Sequence, residues 1–281
     1  PIKSPYYINK ADFVACHNPS YIVKGYKMVN DVKPGGVFLI NCQWDAAELG
    51  EKLNAETKRY IANNNIRLYI VNAIDLAAKV GMGKRTNTVL QAAFFALANV
   101  MPIDEAVRHM KDAATKSYSK KGPEVVKCNH DAIDAGVSAF VKVTVPEEWK
   151  QAVDEAPAAA DEEITKLQKQ VDTIMNPVGK MDGDSLAVSA FVDHADGTFE
   201  QGASAFEKRG VAVMVPSWNA QTCVACNKCA FVCPHATIRP YALSKAEQEA
   251  APEMTEYAAK AALVKKNGYE FTMAVSPYDC M

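Results

Sequence analysis

Four cysteines lie close together in TCVACNKCAFVCPH, residues 222–235. Their spacing is Cys223-x2-Cys226-x2-Cys229-x3-Cys233, and a proline follows the last one. Two-residue gaps let three thiolates converge while the loop winds around a cubane iron–sulfur cluster, which takes one thiolate at each iron atom. We expect Cys223, Cys226 and Cys229 to bind one [4Fe-4S] cluster, whose fourth ligand comes from outside this chain.

The last cysteine of such a run serves the other cluster in ferredoxins that carry two clusters. Cys233 should therefore ligate a second [4Fe-4S] cluster. Cys280 should join it, as the first cysteine of a second run that the end of the chain cuts off. The alternative is a zinc ribbon, which usually has two separated Cys-x2-Cys pairs, so the compact run favours iron and sulfur. Such clusters move single electrons, and we expect the chemistry on a substrate to occur elsewhere.

A second candidate site is the turn GMGKRT, residues 81–86, before an apolar helix pattern. Two glycines precede Lys84, Arg85 and Thr86, and Thr86 is a plausible N-cap. Two cations at a helix N-terminus suit an anionic ligand. A helix start with solvated basic residues is an equally good interpretation, because the full phosphate-loop pattern is missing.

Other polar and sulfur-containing residues are predicted to be structural. The segment FEKRG, residues 206–210, is predicted to be a solvated turn, and no nucleophile triad or histidine metal spacing is present. Polar residues that follow two predicted strands either line a cleft or, as we favour, cap a helix; they are Asn18, Ser20, Asn41 and Gln43. Three isolated cysteines are predicted to be small buried side chains; they are Cys16, Cys42 and Cys128.

The elements that position these residues alternate between apolar strands and amphipathic helices. Strand patterns cover residues 12–16, 35–42, 67–73 and 138–145, and helix patterns cover residues 45–65, 86–100, 103–122 and 123–140. Continuous apolar strands between helices predict a helix-covered sheet that is largely parallel or mixed.

The composition changes after residue 150. An acidic, alanine-rich stretch at 153–163 suggests a linker, and a helix predicted at 162–175 should stop at NPVG, residues 176–179. Residues 181–212 suggest turns with a short strand, and residues 243–267 suggest a helix.

The whole chain has 281 residues, room for about two domains, and a net charge of −2. Neither nucleic acid nor a membrane is expected as a partner, since the charge is balanced and no apolar run could span a bilayer. Five of the eight cysteines lie in the last sixty residues, which suits a local metal site in a reducing cytoplasm. No signal peptide is visible, and the first residue suggests an internal start.

These motifs resemble, in order, the middle of single-chain pyruvate:ferredoxin (or flavodoxin) oxidoreductases. The resemblance rests on PYYINKADFVACHNPSY, GGVFLINCQW and GMGKRTNTVLQAAFF for a gamma-type domain. It rests further on SAFEKRGVAVMVPSW for the region before the ferredoxin domain, and on TCVACNKCAFVCPHATIRP for the first half of that domain. It implies an α/β gamma-type domain with a helix-covered sheet (1–155), a small α+β linker domain with the EKR region (156–212) and a truncated ferredoxin-like iron–sulfur domain (213–281).

The resemblance also implies a function. The family oxidatively decarboxylates pyruvate with coenzyme A to acetyl-CoA and CO2, and thiamine diphosphate with Mg2+ acts as the electron sink. Three [4Fe-4S] clusters pass electrons to ferredoxin or flavodoxin, and the complete enzyme is expected to be a homodimer. Because the gamma-type domain is associated with coenzyme A, Lys84, Arg85 and Thr86 would hold its phosphates.

The thiamine- and pyruvate-binding domains are not in this chain, so the fragment alone is expected to be inactive and to depend on the remaining domains of the same polypeptide. One alternative is an oxidoreductase for another 2-oxoacid. A different one is a stand-alone iron–sulfur electron carrier.

Overall fold

The computed structural model describes residues 8–154, 165–212, 214–250 and 268–281. The chain divides into two compact units, Pro1–Gln201 and Gly202–Met281. The described part of each unit contains one sheet.

The first unit contains a four-stranded mixed sheet with the order β1-β2-β3-β4. Its strands are β1 (Ala11–Cys16), β2 (Val32–Asn41), β3 (Arg67–Val71) and β4 (Val141–Lys142). The first three strands are parallel, and β4 pairs antiparallel with β3. The predicted mixed α/β sheet is therefore confirmed, although the fourth strand is much shorter than predicted.

The second half of strand β2, from Val37 to Ile40, is a buried apolar run because both of its faces are covered. Phe38 and Ile40 lie in the larger hydrophobic core, where Leu49 packs. Leu39 belongs to a separate core together with Val89. Alternate side chains of one strand thus enter two cores, which is the burial expected for a strand between two layers of helices.

Seven helices are described around this sheet. They are α1 (Ser20–Val23), α2 (Ala46–Lys52), α3 (Ala55–Asn63), α4 (Ala73–Lys79), α5 (Asn87–Ala98), α6 (Ile103–Tyr118) and α7 (Pro123–Gly136). The single helix predicted over 45–65 is wrong. Leu53 and Asn54 are extended, and the Asn54 side chain accepts a hydrogen bond from the Thr57 amide, which begins a new helix. An N-cap residue inside the periodic pattern therefore divides it.

The helix predicted over 162–175 does not stop at residues 176–179. It comprises α8 (Lys166–Gln170), a π-helical turn (Val171–Met175) and α9 (Asn176–Gly179). Pro177 lies in the first turn of α9, where a missing amide is tolerated, and the π turn shifts the hydrogen-bond register just before it. The short strand predicted within 181–212 is also wrong, since the described residues there form 3-10 turns and loops.

The second unit contains an antiparallel ribbon of two strands. Its elements are α10 (Lys228–Val232), β5 (Ile238–Leu243), α11 (Lys245–Ala250) and β6 (Glu270–Val275). Ile238 pairs with Val275 at one end of the ribbon, and Leu243 pairs with Glu270 at the other. The helix predicted over 243–267 begins as α11, and the remainder lies outside the described residues, as does most of the predicted linker. Within the described ranges, no helix has the length and apolarity needed to cross a bilayer.

Candidate metal centre and anion site

The cysteine run lies on a tightly turned loop that leads into α10. Ala225 and Asn227 have φ values of 54° and 57°, in the left-handed region that turns a chain sharply. The Ala225 amide donates a hydrogen bond to the Cys223 Sγ at 3.3 Å. Cys226 and Cys229 are exposed. The loop thus places a backbone amide against one cysteine sulfur.

Cys233 follows α10 and is held by Thr237. The Cys233 Sγ lies 3.3 Å from the Thr237 Oγ1, and the Thr237 amide donates to the same sulfur at 3.4 Å. These two hydrogen bonds, the hydroxyl contact first, lower the pKa of Cys233 to about 7. The thiolate is the form that binds metals, so this cysteine is prepared for ligation.

Cys233 and Cys280 flank the same end of the ribbon. Ile238 and Val275 form the pair at that end, and each cysteine lies five residues beyond its strand. A backbone hydrogen bond of 2.8 Å from the Ser276 amide to the Thr237 carbonyl extends the pairing towards both cysteines. The ribbon therefore brings together the chain segments that carry two residues 47 positions apart.

The donor chemistry of these residues fits an iron–sulfur cluster, but the thiolates are not gathered. The described residues contain no group of three or more His, Cys, Asp or Glu side chains that could hold a metal ion. Cysteine sulfurs and hydrogen bonds to sulfur are present, but the described cysteines do not converge on one point. The assignment of Cys223, Cys226 and Cys229 to one cluster and of Cys233 and Cys280 to another stays a prediction.

The charged segment at residues 206–210 is more than a solvated turn. Lys208 Nζ lies 2.7 Å from Asp279 Oδ2, and the Gly210 amide donates to the Tyr278 carbonyl at 2.8 Å. Ser276 Oγ donates to Asp279 Oδ2 at 2.6 Å. The Lys208 contact, followed by the Ser276 contact, lowers the pKa of Asp279 below its usual value. The prediction of a merely solvated turn is wrong because this partner lies 71 residues away, beyond the reach of local sequence patterns.

The glycine turn has the conformation that its sequence suggests. Gly81 and Gly83 have φ values of 81° and 60°, and a Cβ added at Gly81 would lie 3.2 Å from the Cys128 Sγ. Lys84 and Arg85 are exposed, and neither forms an ion pair within the part of the chain that the structure describes.

Thr86 occupies the N-cap position of α5, but its side chain makes no capping hydrogen bond. Its own backbone is helical, with φ of −90° and ψ of −12°, rather than extended as in most capped helices. The amides at the start of α5 thus have no side-chain cap, and two cations precede them. This arrangement suits an anion, although no described contact assigns one.

Asn41 is buried and caps a helix, as predicted, but the helix is α4 and not α2, the next one along the chain. Its Oδ1 accepts a hydrogen bond from the Ala73 amide at the start of α4, and its Nδ2 donates to the His17 carbonyl, both at 3.0 Å. Asn18 Oδ1 accepts from the Ser20 amide at 3.0 Å and so closes a local turn. Asn41 therefore joins the ends of strands instead of lining a cleft.

Two of the isolated cysteines have the predicted structural role. Cys16 and Cys42 are 1% and 2% exposed, and both lie in the larger core. Burial raises the pKa of Cys16 to about 12 and that of Cys42 to about 11. Cys128 is only partly buried, so its prediction as a small buried side chain is wrong.

The amino-acid sequence of this chain is similar to those of known oxidoreductases. Residues 1–139 match the family model described as pyruvate ferredoxin/flavodoxin oxidoreductase, and residues 154–212 match one described as a domain of unknown function. The chain is 45% identical over 280 residues to the pyruvate-flavodoxin oxidoreductase of Enterobacter agglomerans. It is 42% identical over 281 residues to the pyruvate:ferredoxin oxidoreductase of Moorella thermoacetica. The chain is homologous to one segment of these oxidoreductases.

Both alignments cover 100% of this chain and 23% of the relative, so the chain spans about a quarter of the length of these pyruvate oxidoreductases. A third relative, a pyruvate dehydrogenase [NADP(+)] of Cryptosporidium parvum, is 35% identical over 303 residues, which is 100% of this chain and 16% of that protein. The resemblance to pyruvate:ferredoxin or flavodoxin oxidoreductases that the motifs suggested is confirmed.

Proposed function

We propose that this chain forms part of an enzyme that oxidatively decarboxylates pyruvate with coenzyme A, yielding acetyl-CoA, CO2 and two electrons. The observation that carries the proposal is the alignment over 100% of the chain, at 45% and 42% identity, with proteins named as pyruvate oxidoreductases. Residues 1–155 are the gamma-type domain, 156–212 the EKR linker domain and 213–281 a ferredoxin-like domain. The remaining domains of the enzyme supply the site for pyruvate, and the complete enzyme is a homodimer.

The clusters through which the electrons leave are ligated by cysteines of this chain. Cys223, Cys226 and Cys229 hold one [4Fe-4S] cluster, while Cys233 and Cys280 hold a second. A bound cluster of this type supplies one-electron transfer at low potential. The stabilised thiolate of Cys233 and its position at the same end of the ribbon as Cys280 support this assignment. Ferredoxin or flavodoxin is the acceptor.

The carbon chemistry depends on thiamine diphosphate and Mg2+, which are held outside this chain and act as the electron sink when bound. The contribution of the first unit is to bind coenzyme A. Lys84 and Arg85, which are exposed and have no described ion-pair partner, hold its phosphates. Thr86 and the uncapped amides of α5 complete the site.

The activity is tested with the full-length protein that contains this chain, assayed for reduction of ferredoxin or flavodoxin. The expected result is reduction that requires both pyruvate and coenzyme A. Equal or faster reduction with 2-oxobutyrate or 2-oxoglutarate would favour the alternative of a different 2-oxoacid. Protein that contains iron–sulfur clusters but oxidises no 2-oxoacid would favour the stand-alone electron carrier.

The ligand assignment is tested separately by iron and sulfide analysis of the Cys226→Ala and Cys233→Ala variants. Each variant is expected to lose a different cluster, which low-temperature EPR of the reduced protein distinguishes. The cluster ligated by Cys233 should persist, at least in part, in Cys226→Ala. Equal loss of both clusters in both variants contradicts the assignment, and colourless protein that retains zinc contradicts the iron–sulfur proposal itself.

A further inference from the structure

Residues 208 and 210 contact the loop that carries Cys280 at two consecutive positions. Lys208 forms its ion pair with the Asp279 side chain, and the Gly210 amide bonds the Tyr278 carbonyl. Asp279 directly precedes Cys280. The segment thus contacts both residues that lead into a proposed cluster ligand.

The loop before Cys280 is also held by its own hydrogen bonds. The 3-10 turn Pro277–Asp279 directs the Cys280 amide to the Pro277 carbonyl at 3.4 Å, and Ser276 Oγ shares the Asp279 carboxylate with Lys208. The Lys208 and Asp279 side chains are 39% and 24% exposed, so the pair is only partly screened by solvent.

The close approach depends on a glycine at position 210. Gly210 has φ of 60°, a conformation that other residues rarely adopt. A Cβ added there would lie 3.1 Å from the Tyr278 ring. A side chain at position 210 would therefore strain the backbone and crowd the Tyr278 ring at this contact.

We propose that Lys208 is a positioning residue for Cys280 and that its charge, opposed to that of Asp279, sets the electrostatic surroundings of the cluster that Cys280 ligates. This inference rests on the proposed function, which assigns Cys280 to that cluster. Reduction adds an electron to a cluster, so a neighbouring positive charge favours it and an uncompensated negative charge opposes it. The pair keeps these two effects in balance.

The experiment is a redox titration of the full-length protein followed by EPR, with iron content measured in parallel. Lys208→Gln leaves Asp279 uncompensated, so the potential of one cluster should fall. Asp279→Asn leaves Lys208 uncompensated, so the potential of the same cluster should rise. The double variant should lie between the two, and Lys208→Arg should resemble the unaltered protein.

A change in the position of Cys280 can also be measured in metal-free protein. The alkylation rate of Cys280, measured by mass spectrometry, should increase in Lys208→Gln, and also in Gly210→Ala, which strains the contact without changing any charge. Shifts of the same direction in Lys208→Gln and Asp279→Asn overturn the electrostatic role, and an unchanged alkylation rate in Lys208→Gln overturns the positioning role.

The Cys280→Ala variant separates this inference from the function on which it rests. If Cys280→Ala retains both clusters with unaltered EPR signals, the ligand assignment is wrong. If Cys280→Ala loses one cluster while Lys208→Gln and Asp279→Asn leave both potentials unchanged, the assignment stands and the inference about Lys208 is wrong.

Discussion

Asn41, the last residue of β2, accepts a hydrogen bond at 3.0 Å from the amide of Ala73, 32 residues further along the chain. The same side chain donates to the His17 carbonyl just after β1. One buried amide therefore connects the segments at the carboxyl ends of three neighbouring parallel strands. This is the edge of an open α/β sheet where ligands usually bind, and Asn41 holds the strand ends together there.

Replacing Asn41 with Ala should lower the free energy of unfolding by about 1–3 kcal/mol, because the buried amide of Ala73 would lose its partner and the His17 carbonyl would lose a hydrogen bond. Urea denaturation of the protein measures the change. Asn87, which is exposed at the start of α5, provides the control, and Asn87→Ala should stay within about 0.5 kcal/mol of the unaltered protein. Equal effects of the two substitutions would contradict the bridging role.

Two helical glycines should respond to alanine in opposite directions. A Cβ at Gly136 would lie 2.7 Å from the Val89 carbonyl oxygen, so Gly136→Ala should destabilise the contact between α7 and α5 by about 1–3 kcal/mol. A Cβ at Gly50 would meet only the Trp149 ring, at an ordinary 3.6 Å. Gly50→Ala should stabilise α2 by about 0.5–1 kcal/mol, because glycine costs more backbone entropy. Thermal unfolding distinguishes the two, and a shift of the same direction in both variants would refute the packing explanation.

The buried cysteines should be chemically inert in the folded protein. Thiolates react and thiols do not, and burial raises the pKa values of Cys16 and Cys42 to about 12 and about 11. In metal-free protein, iodoacetamide should modify the exposed Cys226 and Cys229 and spare Cys16 and Cys42 until urea is added. Mass spectrometry of the labelled peptides is the measurement. Labelling of Cys42 at the same rate as Cys226 under native conditions would show that the core opens readily.

The same raised pKa values predict how stability depends on pH. Above about pH 9 these thiols ionise in the unfolded chain while they stay protonated in the folded chain. The folded state then binds more protons, so the free energy of unfolding should fall as the pH rises from about 9 towards 11, by up to about 1.4 kcal/mol per pH unit for each thiol. Cys42→Ala should make this decline shallower than in the unaltered protein, which urea denaturation at pH 8, 9 and 10 would show. A decline of the same slope in both proteins would mean that Cys42 does not contribute.

The sequence predicts β2 and β3 well because most of their residues from Val37 to Asn41 and from Leu68 to Val71 are buried. Such burial leaves a continuous apolar run, and β2 was recognised in this way. Helix boundaries inside a long periodic pattern are harder to predict. Asn54 is an N-cap residue type, and its bond to the Thr57 amide marks the break between α2 and α3. The pair of Lys208 and Asp279 has no such indication, because the two residues are 71 positions apart and meet only in the folded second unit. The cysteine run shows which sulfur atoms are available to a metal. A cluster site also requires four thiolates to converge, and the sequence spacing of the cysteines does not ensure this.

The basic turn before α5 should contribute to the affinity for coenzyme A. Replacing Lys84 and Arg85 together with Ala should raise the KM for coenzyme A by about a hundredfold or more, since charge-assisted hydrogen bonds to phosphate contribute about 1.5–3 kcal/mol each and about 1.4 kcal/mol corresponds to a factor of ten. The KM for pyruvate should stay nearly constant, because no part of this turn is expected to contact pyruvate. Steady-state kinetics of the full-length enzyme, with each substrate varied in turn, measures both constants.

A matched double variant, Lys116→Ala with Lys120→Ala, removes two exposed cations from the same unit and should leave both constants unchanged. If coenzyme A binds at the turn, added salt should weaken binding more steeply in the unaltered enzyme than in the variant without Lys84 and Arg85, because fewer charges then remain to be screened. An equal rise of the coenzyme A constant in the two double variants would indicate a general charge effect. An unchanged constant in both would assign the phosphates of coenzyme A to a different surface, and the glycine turn would then be a helix start with solvated basic residues.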